Sequence, residues 1–165
     1  MTSAPIHRKK PRRLRFNSLY DIRQDAERLS TAKHVDQLGT WTAGQAFEHL
    51  AKSLLSSIWQ SKAVLPLWNR MIAKVGKPFL LRYGLPAGIQ IASISEVAAK
   101  EFLPRERVTK NEGLRELKRA IATVSVHEMS ARHNLFGKMS HKDWERMHCR
   151  HAELHLRLLL PTDMP

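Results

Sequence analysis

The chain has 165 residues, a formal net charge of +13 and one cysteine, Cys149. That length suits one domain with a substantial core, and a lone cysteine excludes an internal disulfide framework and favours a reducing compartment. No apolar run is long enough to cross a bilayer, and no apolar segment follows the basic N-terminus. We therefore expect a cytoplasmic protein that uses no membrane partner.

The positive charge is concentrated at the start of the chain. Residues 7–15 contain six Lys/Arg, and the first acidic residue is Asp21. We predict that residues 1–15 form a flexible basic arm. Such an arm can bind nucleic acid through counterion release or can be a solvated tail. The tail is favoured because the arm lacks the interleaved aromatic residues of a single-strand binder.

Two amphipathic helices are predicted in the first third of the chain. Apolar residues recur at intervals of three and four over residues 18–32, which predicts a first helix, and a break follows at residues 38–40. A second helix is predicted over residues 42–59. It starts with a capping box formed by Thr42 and Gln45. Its wide apolar face indicates contact with two neighbouring elements.

Residues 61–110 have an irregular pattern. Residues 67–82 favour a helix that Pro78 would interrupt, residues 84–88 form a turn cluster, and residues 89–91 favour a short extended piece. A segment of this length is too long for a plain bundle loop. We expect it to cross over one end of a helical bundle.

Two further helices are predicted in the last third. The third covers residues 112–132, and Glu128 continues its apolar stripe. That carboxylate is either a ligand or a half-exposed partner of Arg132 one turn on, which we favour. The fourth helix begins after Ser140 and ends at Pro161.

The lengths of the links predict the topology. Short links join the first helix to the second and the third to the fourth, whereas the long crossover lets the second and third run in the same direction. The sequence therefore predicts an all-α protein, an up-down-down-up four-helix bundle over residues 16–160, with residues 61–110 as a crossover insertion between the second and third helices.

Two histidines in the last predicted helix are spaced as metal ligands. His151 and His155 are four residues apart, so their imidazoles project from one helix face that is otherwise apolar. The alternatives are two core histidines with satisfied hydrogen bonds, or a helix that is simply richer in histidine than usual. His148, on the same stripe, is a candidate third ligand, a surface residue or, as we favour, a partner for a ligand's other ring nitrogen.

His49, inside the second helix, is the candidate third ligand. In the predicted topology the second and fourth helices are antiparallel. At about 1.5 Å per residue, His49 lies about 10 Å below the start of its helix, and His151 and His155 lie about 14 and 8 Å from the end of theirs. The three would sit at nearly one height. On a helical wheel, however, His49 is roughly opposite the main apolar stripe, so it faces either a cleft or solvent.

Several enzyme classes are excluded by pattern. Zincin proteases carry a glutamate directly after the first histidine of the pair. Here Ala152 occupies that place, and Glu153 is turned away from the histidine face. The chain also has no Gly-rich phosphate loop, no G-x-S-x-G motif and no CxxC pair.

Three motifs occur in the chain: Trp41-Thr42-x-x-Gln45-x-x-x-His49-Leu50-Ala51, His148-x-x-His151-x-x-x-His155-Leu156 and His133-x-x-Phe136-Gly137-x-x-Ser140-x-x-x-Trp144. They resemble motifs of the DinB-like (YfiT-like) metalloenzyme superfamily. The last resembles a branch of unknown function. The likeness covers about residues 15–160.

The resemblance implies a four-helix bundle that holds a divalent metal ion, zinc or nickel, through His49, His151 and His155. Members with known activities use the metal with a low-molecular-weight thiol, as in thiol S-transferases and a mycothiol-dependent isomerase, and homodimers are frequent. The basic arm and the long crossover depart from the family pattern. Because the crossover is expected to cover the cleft, a substrate cannot be carried over from relatives.

The leading hypothesis is a metal-dependent hydrolase or thiol transferase that acts on a small-molecule substrate. Glu48 and His148 are the nearest candidates in sequence for a general base. One alternative is a non-catalytic helical protein that contacts nucleic acid through residues 7–15. Another is a bundle in which the metal is structural only.

Overall fold

The computed structural model describes residues 9–59, 67–84, 100–133 and 136–162, and for residues 67–74 the backbone alone. The described residues are mostly helical, as predicted. The elements are α1 (Leu19–Thr31), β1 (His34–Gln37), α2 (Ala43–Leu55), α3 (Leu67–Tyr83), α4 (Lys110–Val126), α5 (His141–Leu156) and β2 (Leu159–Thr162). Within these ranges, no helix has the length and apolar character that crossing a membrane requires.

Contacts along α4 give the direction of its neighbour α1. Glu27 pairs with Lys118 at 2.8 Å, and Ser30 donates a hydrogen bond to Asn111 at 3.2 Å. Residue numbers rise along α1 as they fall along α4, so the two helices are antiparallel.

Contacts at both ends of α2 show that it runs parallel to α4. At the N-terminal ends the backbones of Gly44 and Gly113 are in direct contact. At the other end, the Ala131 N–H, beyond α4, donates to the Ser57 carbonyl at 3.0 Å. The Trp144 indole of α5 donates to the Ala131 carbonyl at 3.2 Å, so α5 begins where α2 ends. The order up-down-down-up is therefore confirmed.

Capping boxes fix three helix starts. They pair Ser18 with Asp21 at α1 and Thr42 with Gln45 at α2, and a further box precedes α4. In each, the side chain of the capping residue and that of the third helical residue satisfy each other's free backbone N–H groups. The predicted first two helices are accordingly close to α1 and α2, although α2 ends four residues before the predicted position and continues as turns.

The predicted ends of the last two helices were wrong. The third was expected to reach residue 132, but α4 ends at Val126 and leaves Glu128 exposed. The chain leaves the helix because its next segment hydrogen-bonds to the end of α2 through Ala131. The fourth was expected to end at Pro161, but α5 ends at Leu156, where the chain turns into β2.

Pro78 does not interrupt α3, contrary to the prediction. A proline removes a single i→i−4 bond, and the remaining backbone bonds can carry the helix past it. Gly84, with φ 87°, closes the helix by donating its N–H to the Leu80 carbonyl at 2.9 Å. The rest of the predicted turn cluster and the extended piece at residues 89–91 lie outside the described residues.

Two short strands were not predicted. They pair antiparallel, with Val35 opposite Pro161, and form a two-stranded sheet that ties the α1–α2 link to the chain after α5. Proline is tolerated there because each strand of a two-stranded sheet is an edge.

The core lies between α1, α2, α4 and α5. Its largest fully buried side chains include Trp144, Phe47, Ile22, Leu29 and Leu117. Nine of the thirteen α2 residues are buried, which agrees with the broad apolar face seen in the sequence. Because α2 is enclosed by neighbours, a position opposite its main stripe need not face solvent.

The described part of the basic arm, residues 9–15, lies against the bundle. Arg12 forms two parallel hydrogen bonds of 2.7 Å with the Asp25 carboxylate and donates a third to the Leu156 carbonyl. Its backbone N–H donates to the Arg157 carbonyl at 2.8 Å. Part of the arm's positive charge is thus neutralised by a carboxylate of the bundle.

Candidate metal centre

Three imidazoles from two antiparallel helices converge at one point. His151 Nε2 lies 3.0 Å from both His49 Nε2 and His155 Nε2. One nitrogen of each ring lies within 4.8 Å of the others, which makes this a group that could hold a metal ion. His49 comes from α2, and the other two come from successive turns of α5. Of the two predicted directions for His49, the cleft is confirmed, because its ring faces the α5 pair.

The contact on the other ring nitrogen of His49 determines where its proton sits. His49 Nδ1 lies 2.8 Å from the Phe102 carbonyl oxygen, and a carbonyl can only accept a hydrogen bond. Nδ1 of the neutral ring therefore carries the proton, and Nε2 presents a lone pair to the other imidazoles.

His151 has an equivalent partner. The Ser53 hydroxyl, on α2 one turn after His49, lies 3.1 Å from His151 Nδ1. A hydroxyl can accept a hydrogen bond from Nδ1–H, which leaves the lone pair of His151 Nε2 free as well. Outer hydrogen bonds of this kind fix the tautomer and orientation of metal-ligating histidines.

Trp41 forms a wall of the cluster. Its ring stacks on His155 with the ring centroids 5.1 Å apart and is tilted against His49 at 4.6 Å. It stands directly before the Thr42 cap of α2, so the start of that helix positions it. An aromatic wall limits the access of water and restricts rotation of both imidazoles.

The pKa values of all three imidazoles lie below the usual value, which favours their neutral form. Burial lowers the pKa of His155 to about 3 and that of His151 well below its usual value, and the neighbouring imidazoles add to both effects. Burial also lowers the pKa of His49. The hydrogen bond with the Phe102 carbonyl opposes that shift, whereas the nearby charge of Lys52 reinforces it.

The donor set fits a divalent metal ion. Lone pairs on facing nitrogens 3.0 Å apart repel each other unless a proton or a cation lies between them. Nitrogens bound to one zinc ion at about 2.0–2.1 Å can be at most about 4 Å apart. The separations of His151 Nε2 from His49 Nε2 and from His155 Nε2 satisfy that limit. Three imidazoles also leave coordination positions open for a small ligand.

Glu48, one residue before His49, joins the crossover to α2. Its buried carboxylate accepts hydrogen bonds of 2.8 Å from both the backbone N–H and the Nε of Arg105, and Lys52 lies 3.2 Å away. Burial alone would raise the pKa of Glu48, but these contacts outweigh it and hold the pKa below its usual value. The carboxylate is therefore ionised and engaged, which does not favour a general base.

The other acid–base candidates in α5 are also engaged or buried. His148 is buried against the Trp144 ring, and burial lowers its pKa to about 3. Burial raises the pKa of the Cys149 thiol to about 12, which leaves it unreactive at neutral pH. Glu153 accepts the Phe16 N–H at 2.6 Å, on the opposite side of α5 from the histidines, as predicted.

Three supporting groups had no predicted role at the site. Ser53 follows His49 by four residues, a spacing that could have identified it as a neighbour of the same cleft. Trp41 belongs to the quoted motif, but nothing in the sequence indicates that it stacks on His155. Phe102 contributes a backbone carbonyl, which every residue carries, so no sequence signal could have identified it.

Comparison with known proteins identifies the family. No curated protein and no solved structure matches the chain. A family model matches residues 8–162, which include the second half of the arm, the bundle and both strands. The chain therefore belongs to the family described as a protein of unknown function, DUF1569.

Proposed function

We propose that the protein is a divalent-metal-dependent enzyme of the DinB-like superfamily, with His49, His151 and His155 as the ligands. The observation that carries the proposal is the pair of 3.0 Å separations that bring three Nε2 atoms from two helices together. Two of these imidazoles have Nδ1 beside an acceptor, and all three have lowered pKa values, so neutral nitrogens suited to a zinc or nickel ion are available.

The chemistry follows from the open coordination positions. A divalent ion held by three imidazoles acts as a Lewis acid that makes a nucleophile available from water or from a thiol at neutral pH. The chain's own groups orient the rings that would hold such an ion: the Phe102 carbonyl contacts His49, the Ser53 hydroxyl contacts His151, and Trp41 would exclude water from one side. Hydrolysis and thiol S-transfer are the two reaction classes that this arrangement favours, with a small-molecule substrate.

The described end of the crossover supports an enclosed site. Residues 100–109 run along α2, where the Lys52 ammonium donates to the Leu103 carbonyl at 2.7 Å and the Gln45 amide donates to the Glu106 carbonyl at 2.9 Å. With the Phe102 contact, these bonds hold the segment over the edge of the cluster. A substrate would approach beside the crossover and Trp41.

Elemental analysis of protein purified without a polyhistidine tag tests the proposal. We expect about one divalent ion per chain in the wild type and its loss in His151→Ala. His34→Ala is the matched control, because His34 is exposed on β1 and should leave the metal content unchanged. A wild type without bound metal, or full retention of the metal in His151→Ala, would show that these histidines do not form a metal site.

Turnover with and without added thiol then separates the reaction classes. An S-transferase consumes an electrophile only when a thiol is supplied, whereas a hydrolase needs water alone. In both cases chelation should abolish turnover and the metal should restore it. Reversible metal binding without turnover would instead support the structural role.

A further inference from the structure

A basic groove lies between the N-terminal segment (residues 10–17), α3 and α5. Its volume is about 760 Å³. Six cationic side chains and one carboxylate, that of Asp143, are among the described residues that line it. The cationic residues are Arg15, Lys77, Arg82, Lys142, Arg146 and Arg150.

Three of these six side chains pair with a carboxylate, whereas Arg82, Lys142 and Arg146 have no ion pair with any described residue. Lys77 pairs with Asp143 at 2.8 Å. Arg15 donates to the backbone carbonyl of Arg82 at 2.6 Å, and its Nη1 lies 3.9 Å from the Glu153 carboxylate. Lys142 and Arg146 are both exposed at the groove. Such a concentration of positive charge in a concave surface attracts anions.

Arg150 is a second, independent observation, because its buried guanidinium pairs with Glu153 and still has unsatisfied donors. It is only 7 % exposed, and its Nε has no hydrogen-bond partner among the described residues. Its Nη2 donates to the Phe16 carbonyl, and its Nη1 lies 3.0 Å from Glu153, which also accepts the Phe16 N–H. A buried guanidinium with an unsatisfied donor is costly, and an anion in the groove would offset that cost.

The groove is separate from the histidine cluster. Arg146 and Arg150 lie on the side of α5 away from the cluster, and none of the described histidines lines the groove. We propose that it binds a small polyanion that carries phosphate groups. Arginine forks match phosphate oxygens in geometry and charge.

The size and lining of the groove favour a small ligand over nucleic acid. Its volume falls within the range of about 300–1,000 Å³ that is typical of small-molecule sites. Among the described residues of its lining, the aromatic one is Phe16, which is buried and offers no exposed face for base stacking. A second cavity of about 470 Å³ shares Arg15 and Arg150 with the groove, so an elongated polyanion can extend along the N-terminal segment.

Calorimetric titration with inorganic tripolyphosphate tests the proposal. The double variant Lys142→Ala/Arg146→Ala should bind about tenfold more weakly or worse, since a hydrogen bond to a charged group contributes about 1.5 kcal/mol or more. The matched control is Arg115→Ala/Arg119→Ala, which removes the same charge from exposed positions on α4. The control should keep the wild-type affinity, and so should His151→Ala, which separates the groove from the metal centre.

Three outcomes would overturn the proposal. Equal weakening in both double variants would show that the net charge of the protein, and not the groove, attracts the ligand. A large loss in His151→Ala would place tripolyphosphate at the metal centre. Tighter binding of a short single-stranded oligonucleotide than of tripolyphosphate, weakened selectively by Lys142→Ala/Arg146→Ala, would show that the groove is a nucleic-acid site.

Discussion

The two sides of α2 are built in opposite ways. Toward α4 the backbones touch: a Cβ added at Gly113 would lie 2.2 Å from the Gly44 carbonyl oxygen. Toward α5 the helices are separated by imidazoles whose nitrogens face one another at 3.0 Å. The closed side fixes where His49 stands, and the open side leaves room for a ligand. A rigid contact on one face of a helix thus positions a polar site on the other.

The largest loss of stability is expected when a side chain is added where α2 and α4 are in backbone contact. Gly113→Ala puts a methyl group into the Gly44 backbone, so the helices must separate, and overpacking of this kind costs about 3 kcal/mol. Urea unfolding measures the loss. Because α2 carries His49, the variant should also bind metal more weakly.

Gly76→Ala is the matched control for that variant. It is also a helical glycine, but the nearest atom to its added Cβ is 4.0 Å away. The change should stabilise α3 by about 0.5–1 kcal/mol, the usual gain from glycine to alanine in a helix. Similar stability in Gly113→Ala and Gly76→Ala would refute the close contact.

Acid should destabilise the metal-free protein through the buried His148 of α5. The pKa of His148 is about 3 in the folded protein and about 6.5 when unfolded, so below pH 6.5 the unfolded chain binds the extra proton. The free energy of unfolding of the metal-free protein should therefore fall as the pH drops from 6.5 to 5, by about 1.4 kcal/mol per unit for this group. Urea unfolding across that range measures the slope.

His148→Phe isolates that contribution. The ring keeps its contact with Trp144 but cannot be protonated, so the slope between pH 6.5 and 5 should become shallower. Carboxylates contribute little in this range because their pKa values lie lower. An unchanged slope would mean that His148 is not buried as a neutral ring.

Neutralising Glu48 should loosen the crossover. Glu48→Gln weakens the hydrogen bonds from Arg105 and Lys52 and should cost about 1–2 kcal/mol, with weaker metal binding because the Phe102 carbonyl moves with the same segment. Glu116→Gln is the control, since it removes only the exposed partner of Arg105. Exposed pairs contribute little, so its effect should stay below about 1 kcal/mol.

The smallest predicted effect concerns the orientation of one ring. Ser53→Ala removes the partner of His151 Nδ1 and should weaken metal affinity about tenfold, with little effect on stability. Ser56→Ala is the control, because its hydroxyl donates to the Ser53 carbonyl and contacts no imidazole. Competition with a fluorescent chelator measures both. Equal affinities would mean that Ser53 does not support the site.

Local signals in the sequence were sufficient for the bundle. Capping boxes at Ser18 and Thr42, apolar periodicity and the contrast between short and long links predicted the helices and their directions. These local signals did not predict contacts between residues far apart in the chain. The pairing of Val35 with Pro161 joins residues far apart in the chain, and the end of α4 depends on the bond between Ala131 and Ser57.

The candidate site was predicted as far as helix geometry allows. The spacing of His151 and His155 and the equal height of His49 follow from the rise per residue. The direction of the His49 ring did not follow, because a helical wheel describes one helix and α2 is enclosed by several neighbours. The groove at Arg146 and Arg150 was not predicted either, since it forms only where α3 packs against α5.

X-ray absorption at the edge of the co-purified metal tests the central claim most directly. We predict about three imidazole nitrogens at about 2.0–2.1 Å in the wild type, falling to two in His49→Ala. A spectrum with one imidazole or none, or one that His49→Ala leaves unchanged, would contradict a metal centre shared by α2 and α5.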